Sequence, residues 1–410
     1  MAEVSNSTRR FIASRLERPA NIGALGGLAA AVVVALRIAV VGEDDPGRLV
    51  LLGSDYTSPG HRFAVPVHPG TGYDGEFYYR FALGPLHFAP TWSGITLDSV
   101  ARYNRIAYSV LAWLVAGGGR ASLVPWSLLL VNVVGIGVLA WLGAELAFTS
   151  GNHAAWGLLL PAFGGFLWSL GRDLTEITEA VFLVAALVAL RRRHPGWAGA
   201  FLAAAVMSRE TALGVVVAMV AVDIAGRVPS LAAYLRRHGR LVDDRPFSLT
   251  GTWLTPLLVF GGWQLAVRSE TGTFPIFASG QHNLGLPLTG FISAFRHYVV
   301  LIPGKASLSW FGELFVLVVV VLLAARTMRA SSAPDYERLG WVLYLVMAVC
   351  LSRGIWHGDV GFRSIDDLYV LSVVLIVTSA RLTSDRYVRL LPILSASAWL
   401  LVAAQVVKDL

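Results

Sequence analysis

Long apolar runs recur along this chain, and short arginine clusters separate several of them. A run of about 17–25 apolar residues can cross a bilayer as one helix, because each residue adds about 1.5 Å toward a hydrocarbon core about 30 Å thick. Only 14% of the residues are charged, whereas soluble domains average about 25%. The sequence therefore predicts an all-α, polytopic integral membrane protein with about eleven transmembrane helices, within a range of roughly 10–13.

The positive charge is distributed as in a membrane protein. The net charge is +7, but the lysines are Lys305 and Lys408 only, and arginines lie between apolar runs. Such clusters mark cytoplasmic loops, whereas a nucleic-acid-binding protein concentrates its cations on one face, so we expect no nucleic-acid partner. The arginines at 9–18 place the N-terminus in the cytoplasm. The single Cys350 lies in an apolar run, which argues against a disulfide or a cysteine metal site.

The arginine clusters also set the order of crossings. After a first helix at about 20–41 comes a polar stretch at 42–100, whose Gly, Pro and Asp content does not fit hydrocarbon, so it forms a long outer loop. The basic segments predicted to lie inside are 191–193, 227–245, 326–329 and 381–389. The later helices are predicted at about 123–147, 154–170, 174–190, 196–208, 211–226, 249–267, 311–325, 339–352, 367–380 and 390–407.

Three apolar segments lie between residues 102 and 170, at about 102–118, 123–147 and 154–170. The chain is predicted to be outside both before and after this stretch, so only two of them can cross the membrane. We favour 102–118 as an amphipathic helix at the outer interface, since it begins with Arg102 and Arg105 and ends in three glycines. The alternative is that 154–170, with Pro161 inside it, is re-entrant.

This topology places four polar groups on the outer side. They are Asp74 and Glu76 in the long loop; Arg172, Asp173, Glu176 and Glu179 at a helix start; Arg209 and Glu210 between two apolar runs; and Arg353, His357, Asp359, Arg363, Asp366 and Asp367. Ionisable residues at membrane depth mark a functional site or an ion pair. For the Arg209-Glu210 pair the alternative is a mutual or interhelical salt bridge. For the three acids of the second group, spaced by three and therefore on one helix face, it is helix capping.

The segment Gly72-Tyr73-Asp74-Gly75-Glu76-Phe77-Tyr78-Tyr79 combines two carboxylates with four aromatic rings, and Arg80 follows it. Asp between glycines is a common turn composition, and the rings suit either membrane anchoring or sugar stacking. The segment resembles the GYDGQFYY-type motif of bacterial cell-surface glycopolymer membrane proteins, which look like members of the GT-C glycosyltransferase superfamily. The resemblance extends to 172–176 and 208–211 and covers about residues 20–225. Glu76 stands where that motif usually has Gln.

The resemblance implies one GT-C-like transmembrane domain over 1–410, with interfacial helices. Within it, 20–225 would form the catalytic module with the outer loop at 42–122, and 226–410 more variable helices. The implied donor is a sugar on a polyprenyl phosphate, and the implied acceptor a cell-envelope glycan or lipid. Transfer would occur on the outer face of a bacterial plasma membrane, among membrane lipids, by single-step inversion with Asp74 as general base.

Arginine suits a departing phosphate by its forked donors. Together with the motif, this gives the candidate substrate-binding residues Tyr73, Glu76, Tyr78, Tyr79, Arg80, Arg172, Asp173, Glu176, Arg209, Glu210, His282, Arg353, His357 and Arg363. A retaining mechanism would use Glu76 as nucleophile. No cofactor is implied, and a divalent cation at Asp74 and Glu76 is left open. Two other functions compete: a transporter or flippase of lipid-linked sugars, for which no inverted repeat is found, and a non-catalytic subunit of envelope assembly.

Overall fold

Helices dominate the chain, as predicted. The computed structural model describes residues 17–228, 249–278, 283–301, 305–358, 360–380, 382 and 384–408. In chain order the α-helices are α1 Pro19–Val40, α2 Gly75–Leu83, α3 Ala107–Val115, α4 Val124–Thr149, α5 Gly164–Gly171, α6 Glu176–Arg191, α7 Pro195–Ser208, α8 Leu213–Arg227, α9 Thr250–Thr271, α10 Thr289–Arg296, α11 Lys305–Thr327, α12 Asp335–Val349, α13 Arg353–Gly358, α14 Asp366–Val377 and α15 Arg386–Lys408. The strands are β1 Leu52–Gly53, β2 Val67–His68, β3 Thr91–Trp92 and β4 Ile95–Thr96.

Short helical turns join several of these elements. They are 3-10 helices at Pro46–Val50, Ser54–Tyr56, Val100–Arg105, Ala154–Ala162, Glu210–Ala212, Pro275–Phe277, Met328–Ala330 and Val360–Ile365, and a π-helix at His297–Leu301.

Four helical segments among the described residues are long and apolar enough to cross a membrane: α1, α4, Trp310–Ala330 and α15. Ala154–Ala162 and α5 make a fifth if the pair, bent by 62°, is one broken span. If the pair is instead a re-entrant loop, it corresponds to the alternative given for 154–170. Helices α6, α7, α8, α12 and α14 have 12–16 residues and extend only about 18–24 Å. The expected eleven spans are therefore not confirmed.

Protein, and not lipid alone, surrounds the short helices. Every residue of α14 is buried, so its apolar composition reflects a protein core. Helices α1 and α4 pack closely because small residues face each other: a Cβ at Gly26 would lie 2.8 Å from the Cβ of Ala140. Such contacts hold helices together where lipid gives no hydrophobic driving force.

The segment predicted as a loop at 42–100 is folded. β1 pairs in parallel with β2, and β3 and β4 form a hairpin. Ser93 and Gly94 both have positive φ in its two-residue turn, as type I′ geometry requires. The prediction that the whole motif at 72–79 lies in a loop is wrong, because Gly75–Leu83 forms α2. Eight of its nine residues are buried, so its rings gain more from packing than a solvated turn would give.

The segment 102–118 forms the 3-10 turn Val100–Arg105 and the nine-residue helix α3. The three glycines after it all have positive φ. A helix of nine residues is about 14 Å long, so α3 is too short to cross a bilayer by itself. That it lies at the outer interface stays a prediction.

Candidate functional site

The segments 72–79 and 172–176 touch through their backbones. A Cβ at Gly75 would lie 2.6 Å from the carbonyl oxygen of Arg172 and 2.9 Å from that of Val50. Only glycine leaves room for this approach. It sets Asp74, the residue before α2, beside the turn that leads into α6.

Two arginines hold the Asp74 carboxylate, one on each oxygen. Arg102 Nη1 lies 2.7 Å from Oδ1, and Arg363 Nη2 lies 2.8 Å from Oδ2. Both contacts are short, charge-assisted hydrogen bonds. The Asp74 side chain keeps 19% of its surface exposed, so the pairing lies at the edge of the protein and not in its core.

Each of these arginines holds a second carboxylate. Arg102 donates from Nε and Nη2 to Asp98 at 2.9 and 2.7 Å, and Arg363 Nη1 lies 3.2 Å from a Glu176 oxygen. We call these five residues the ion-pair chain: Asp98, Arg102, Asp74, Arg363 and Glu176. It carries three carboxylates and two guanidiniums.

The two motif carboxyls differ in charge state. Burial alone would raise the pKa of Asp74, but the Arg363 and Arg102 guanidiniums outweigh burial and hold that pKa well below its usual range. Glu76 is 1% exposed, and its Oε2 accepts a hydrogen bond from Gly53 N–H at 2.9 Å. Burial raises the pKa of Glu76 to about 7, although the Gly53 hydrogen bond opposes this. Asp74 is thus a carboxylate at neutral pH, whereas Glu76 keeps its proton to a higher pH than an ordinary glutamate does.

Aromatic rings lie against the guanidiniums. Arg102 lies 4.4 Å from the ring centroid of Phe77. Arg172 and Arg363 lie 4.5 and 5.3 Å from that of Tyr73. Cation–π contacts of this kind restrict where a guanidinium can move. Two of the four motif rings therefore position arginines.

A second charged cluster adjoins the ion-pair chain. Arg209 Nη1 donates to the backbone carbonyl of Arg363 at 3.1 Å and to Asp366 Oδ1 at 2.7 Å, and lies 3.6 Å from Glu179 Oε2. Glu179, Asp366 and Asp367 are buried and place one oxygen each within 4.8 Å of one another. We call these three the acidic trio. Carboxylate oxygens at this spacing could hold a cation, in addition to the charge that Arg209 supplies.

Asp74 and Glu76, where the sequence left a divalent cation open, have other partners in the structure. Both Asp74 oxygens accept from guanidiniums, and Glu76 points to the Gly53 amide. Among the described residues the acidic trio is the group of three or more acids, histidines or cysteines that meets the spacing for a metal ion.

Three other motif residues have structural contacts. Tyr78 and Tyr79 are 2% and 1% exposed, so their ring faces are covered by the protein and not open to a sugar. Arg80 is fully buried. It donates to the carbonyls of Ile95 at 3.2 Å and Ala89 at 2.5 Å, and so fastens the β3–β4 hairpin instead of facing the phosphate site expected from the sequence.

Arg209 and Glu210 pair with other segments and not with each other. Glu210 accepts two hydrogen bonds from Arg105, at 2.7 and 3.1 Å. This corresponds to the salt bridge between separate segments that the sequence offered as the alternative to a functional site. Asp173 does not share a helix face with Glu176, because α6 begins only at Glu176 and Asp173 has φ +53°. Its carboxylate is buried, and neither oxygen has a hydrogen-bond partner among the described residues.

Among the described C-terminal candidates, Arg363 joins the ion-pair chain and two others do not. The His357 ring lies 4.5 Å from that of His297, and Arg353 is exposed. His282 lies outside the described residues.

The structure thus joins members of all four polar groups predicted on one side. Asp74, Glu176 and Arg363 meet directly, and Arg209 reaches them through the Arg363 carbonyl. These contacts cross the expected module boundary near residue 225. Arg102 was expected only as the start of an interfacial helix. The acid four residues before it, Asp98, indicates that Arg102 could be held in an ion pair, but no local signal indicates that Asp74 is its other partner.

No protein-family model and no curated protein matches the sequence. A search of solved structures matches the Archaeoglobus fulgidus oligosaccharyltransferase in its apo form, with TM-score 0.45 and 11% identity over 93% of this chain and 56% of that one. The same enzyme tethered to an acceptor peptide matches with TM-score 0.42 and 12% identity, over 93% of this chain and 55% of that one. The chain therefore spans little more than half of that enzyme.

Proposed function

We propose that this chain is an inverting glycosyltransferase on the outer face of a bacterial plasma membrane. It transfers a sugar from polyprenyl phosphate to a cell-envelope glycan or lipid. The observation that carries the proposal is the partly exposed Asp74 side chain between Arg102 and Arg363, in a protein with four described helical segments long and apolar enough to cross a membrane. The resemblance of residues 72–79 to the GT-C motif supplies the reaction class, and the site supplies the base and the cations that this reaction needs.

The transfer forms one bond and breaks one. The acceptor hydroxyl oxygen attacks the anomeric carbon from the face opposite the phosphate. As the new C–O bond forms, the hydroxyl proton passes to an Asp74 oxygen, and the electron pair of the old C–O bond stays on the polyprenyl phosphate. The guanidiniums of Arg102 and Arg363 stabilise the charge that develops on this leaving group.

A retaining route through Glu76 is less well supported. A nucleophile must reach the anomeric carbon, but the Glu76 side chain is buried and its Oε2 hydrogen-bonds the Gly53 amide. The Asp74 side chain already reaches the surface, so Asp74 can meet the acceptor without a movement of the backbone.

Asp74→Asn tests the proposal, because it removes the base and keeps the shape of the side chain. We expect transfer to fall by about 10²–10⁴-fold, the usual contribution of a general base. The assay follows a radiolabelled sugar from its polyprenyl phosphate into acceptor in isolated membranes.

Asp55→Asn is the matched control. Asp55 also belongs to the segment before α2, but its carboxylate accepts from Thr71 at 2.7 Å and pairs with no arginine among the described residues. Full transfer by a well-expressed Asp74→Asn protein would rule out Asp74 as the base.

A further inference from the structure

Asp74 is badly placed to accept a proton while it is paired as observed. Both of its oxygens accept hydrogen bonds from guanidiniums, at 2.7 and 2.8 Å. A base whose lone pairs are engaged by two cations has little affinity for a further proton. The catalytic role therefore requires that this pairing be opened.

We propose that the donor phosphate itself releases Asp74, by taking over the guanidiniums of Arg102 and Arg363. The base is then freed only when a donor is bound, so acceptor hydroxyls are not activated at an empty site. This inference rests on the proposed function and adds a regulation of the same site.

The two arginines have the contacts that such an exchange requires. Asp98 holds Arg102 by two hydrogen bonds that do not involve Asp74, and Glu176 holds Arg363 by another. Both guanidiniums therefore stay in place when Asp74 leaves. Of the five N–H donors of Arg102, the carboxylates of Asp98 and Asp74 use three.

On Arg363, exposure separates the partner that can leave from the one that stays. On Arg102, where Asp98 is 24% exposed, the distinction is that Arg102 donates two hydrogen bonds to Asp98 and one to Asp74. The side chains of Asp74, Arg102 and Arg363 are 19%, 22% and 16% exposed, whereas Glu176 is 1% exposed. An incoming phosphate can reach the first three but not the fourth. Asp74 is thus the carboxylate that a phosphate would displace from Arg363.

The charge balance also favours the exchange. Arg172 and Arg363 lie against the same Tyr73 ring, so a third guanidinium stands beside the two that bind Asp74. The phosphodiester of the donor carries one negative charge, as the carboxylate it replaces does, but arginine can bind it through two parallel hydrogen bonds, and its charge grows as the bond to the sugar breaks. Once Asp74 takes the acceptor proton it is neutral, which removes one negative charge from the site as the phosphate leaves.

Binding of a sugar-free prenyl phosphate tests this exchange without any transfer. The purified full-length protein in lipid nanodiscs is titrated with a short-chain prenyl phosphate, and affinity is measured by calorimetry. If Asp74 competes with phosphate, Asp74→Asn binds about tenfold more tightly than the original protein, a difference of about 1.4 kcal/mol. Asp74→Ala should shift the affinity in the same direction.

Asp55→Asn again serves as the control, since it removes the same charge without freeing an arginine, and its affinity should be unchanged. Unchanged or weaker binding by both Asp74 variants overturns the exchange. This failure is distinct from failure of the proposed function: lost transfer with unaltered phosphate affinity would keep Asp74 as base and remove only its release by the donor.

Discussion

Replacing Arg209 by glutamine should destabilise the whole protein, because this residue joins the two charged clusters. The Arg209 side chain is 4% exposed, and its partner Asp366 is 2% exposed. Nη1 donates to that carboxylate and to the backbone carbonyl of Arg363. A neutral glutamine leaves the acidic trio of Glu179, Asp366 and Asp367 without its cation.

The expected cost follows from burial. Removing one partner of a buried ion pair costs about 3–5 kcal/mol, since the other charge stays buried without compensation. The entropy of unfolding is about 2.1 cal/mol/K per residue, so for a chain of this length a change of about 0.9 kcal/mol in the free energy of unfolding shifts the melting temperature by one degree. Arg209→Gln should therefore lower the melting temperature by about 3–6 °C.

Thermal scans of tryptophan fluorescence in one detergent can measure this shift. The Arg209→Gln, Asp366→Asn double variant provides the internal control, because it removes both charges of the pair. We expect its loss of stability to be smaller than the sum of the two single losses. The difference should be about 0.5–3 kcal/mol, the usual interaction energy of residues in contact.

Two results would refute this reasoning. One is a double variant whose loss equals the sum of the two single losses, which would mean that the residues do not interact. The other is a melting temperature for Arg209→Gln equal to that of the original protein, which would mean that the acidic trio carries no negative charge that Arg209 compensates.

Two further predictions concern α2. Gly75→Ala should cost about 1–3 kcal/mol, the range for overpacking, and should reduce transfer, because its Cβ would lie 2.6 Å from the Arg172 carbonyl oxygen. Gly262→Ala in α9 has nothing within 4 Å of the new Cβ, so it should leave transfer intact and raise the melting temperature slightly, since alanine is a better helix former than glycine. Equal behaviour of the two variants would contradict the contact. Glu76→Gln should become the more stable protein as pH rises. The pKa of Glu76 is raised from 4.5 to about 7 in the fold, so the folded state holds an extra proton between these values. The original protein therefore loses stability as pH rises from about 4.5 to 7. If the melting temperatures of the two proteins differ by the same amount at pH 5 and at pH 8, Glu76 does not titrate in this way.

Hydropathy and charge predicted where most helices lie. The expected helices at 20–41 and 123–147 correspond to Pro19–Val40 and Val124–Thr149. Hydropathy does not distinguish a helix that faces lipid from one enclosed by protein. Helix α14 is apolar but buried on all sides. The expectation of about eleven spans counted such helices as crossings, and the structure does not confirm that number.

The motif was found from the sequence, but its conformation was not. Glycines at 72 and 75 are typical of a turn. Here Gly75 admits a backbone contact with Arg172 instead, and that contact exists only in the assembled fold. Similarly, the sequence offered several arginines as phosphate ligands. Which of them reaches Asp74 depends on how distant helices pack, and local spacing carries no information about that.

The hydrogen bond between Arg363 and Asp74 joins residues 289 positions apart. Synthesis of the chain from its N-terminus therefore delivers Asp74, Arg102 and Glu176 to the membrane long before Arg363 is made. Contacts of such long separation form late, because closing a long loop costs entropy that later contacts must offset. The N-terminal half must persist through that interval with Asp74 and Glu176 lacking their shared cation. The last step in building the site is the arrival of Arg363, so newly made protein should become active only when the segment before α14 has docked.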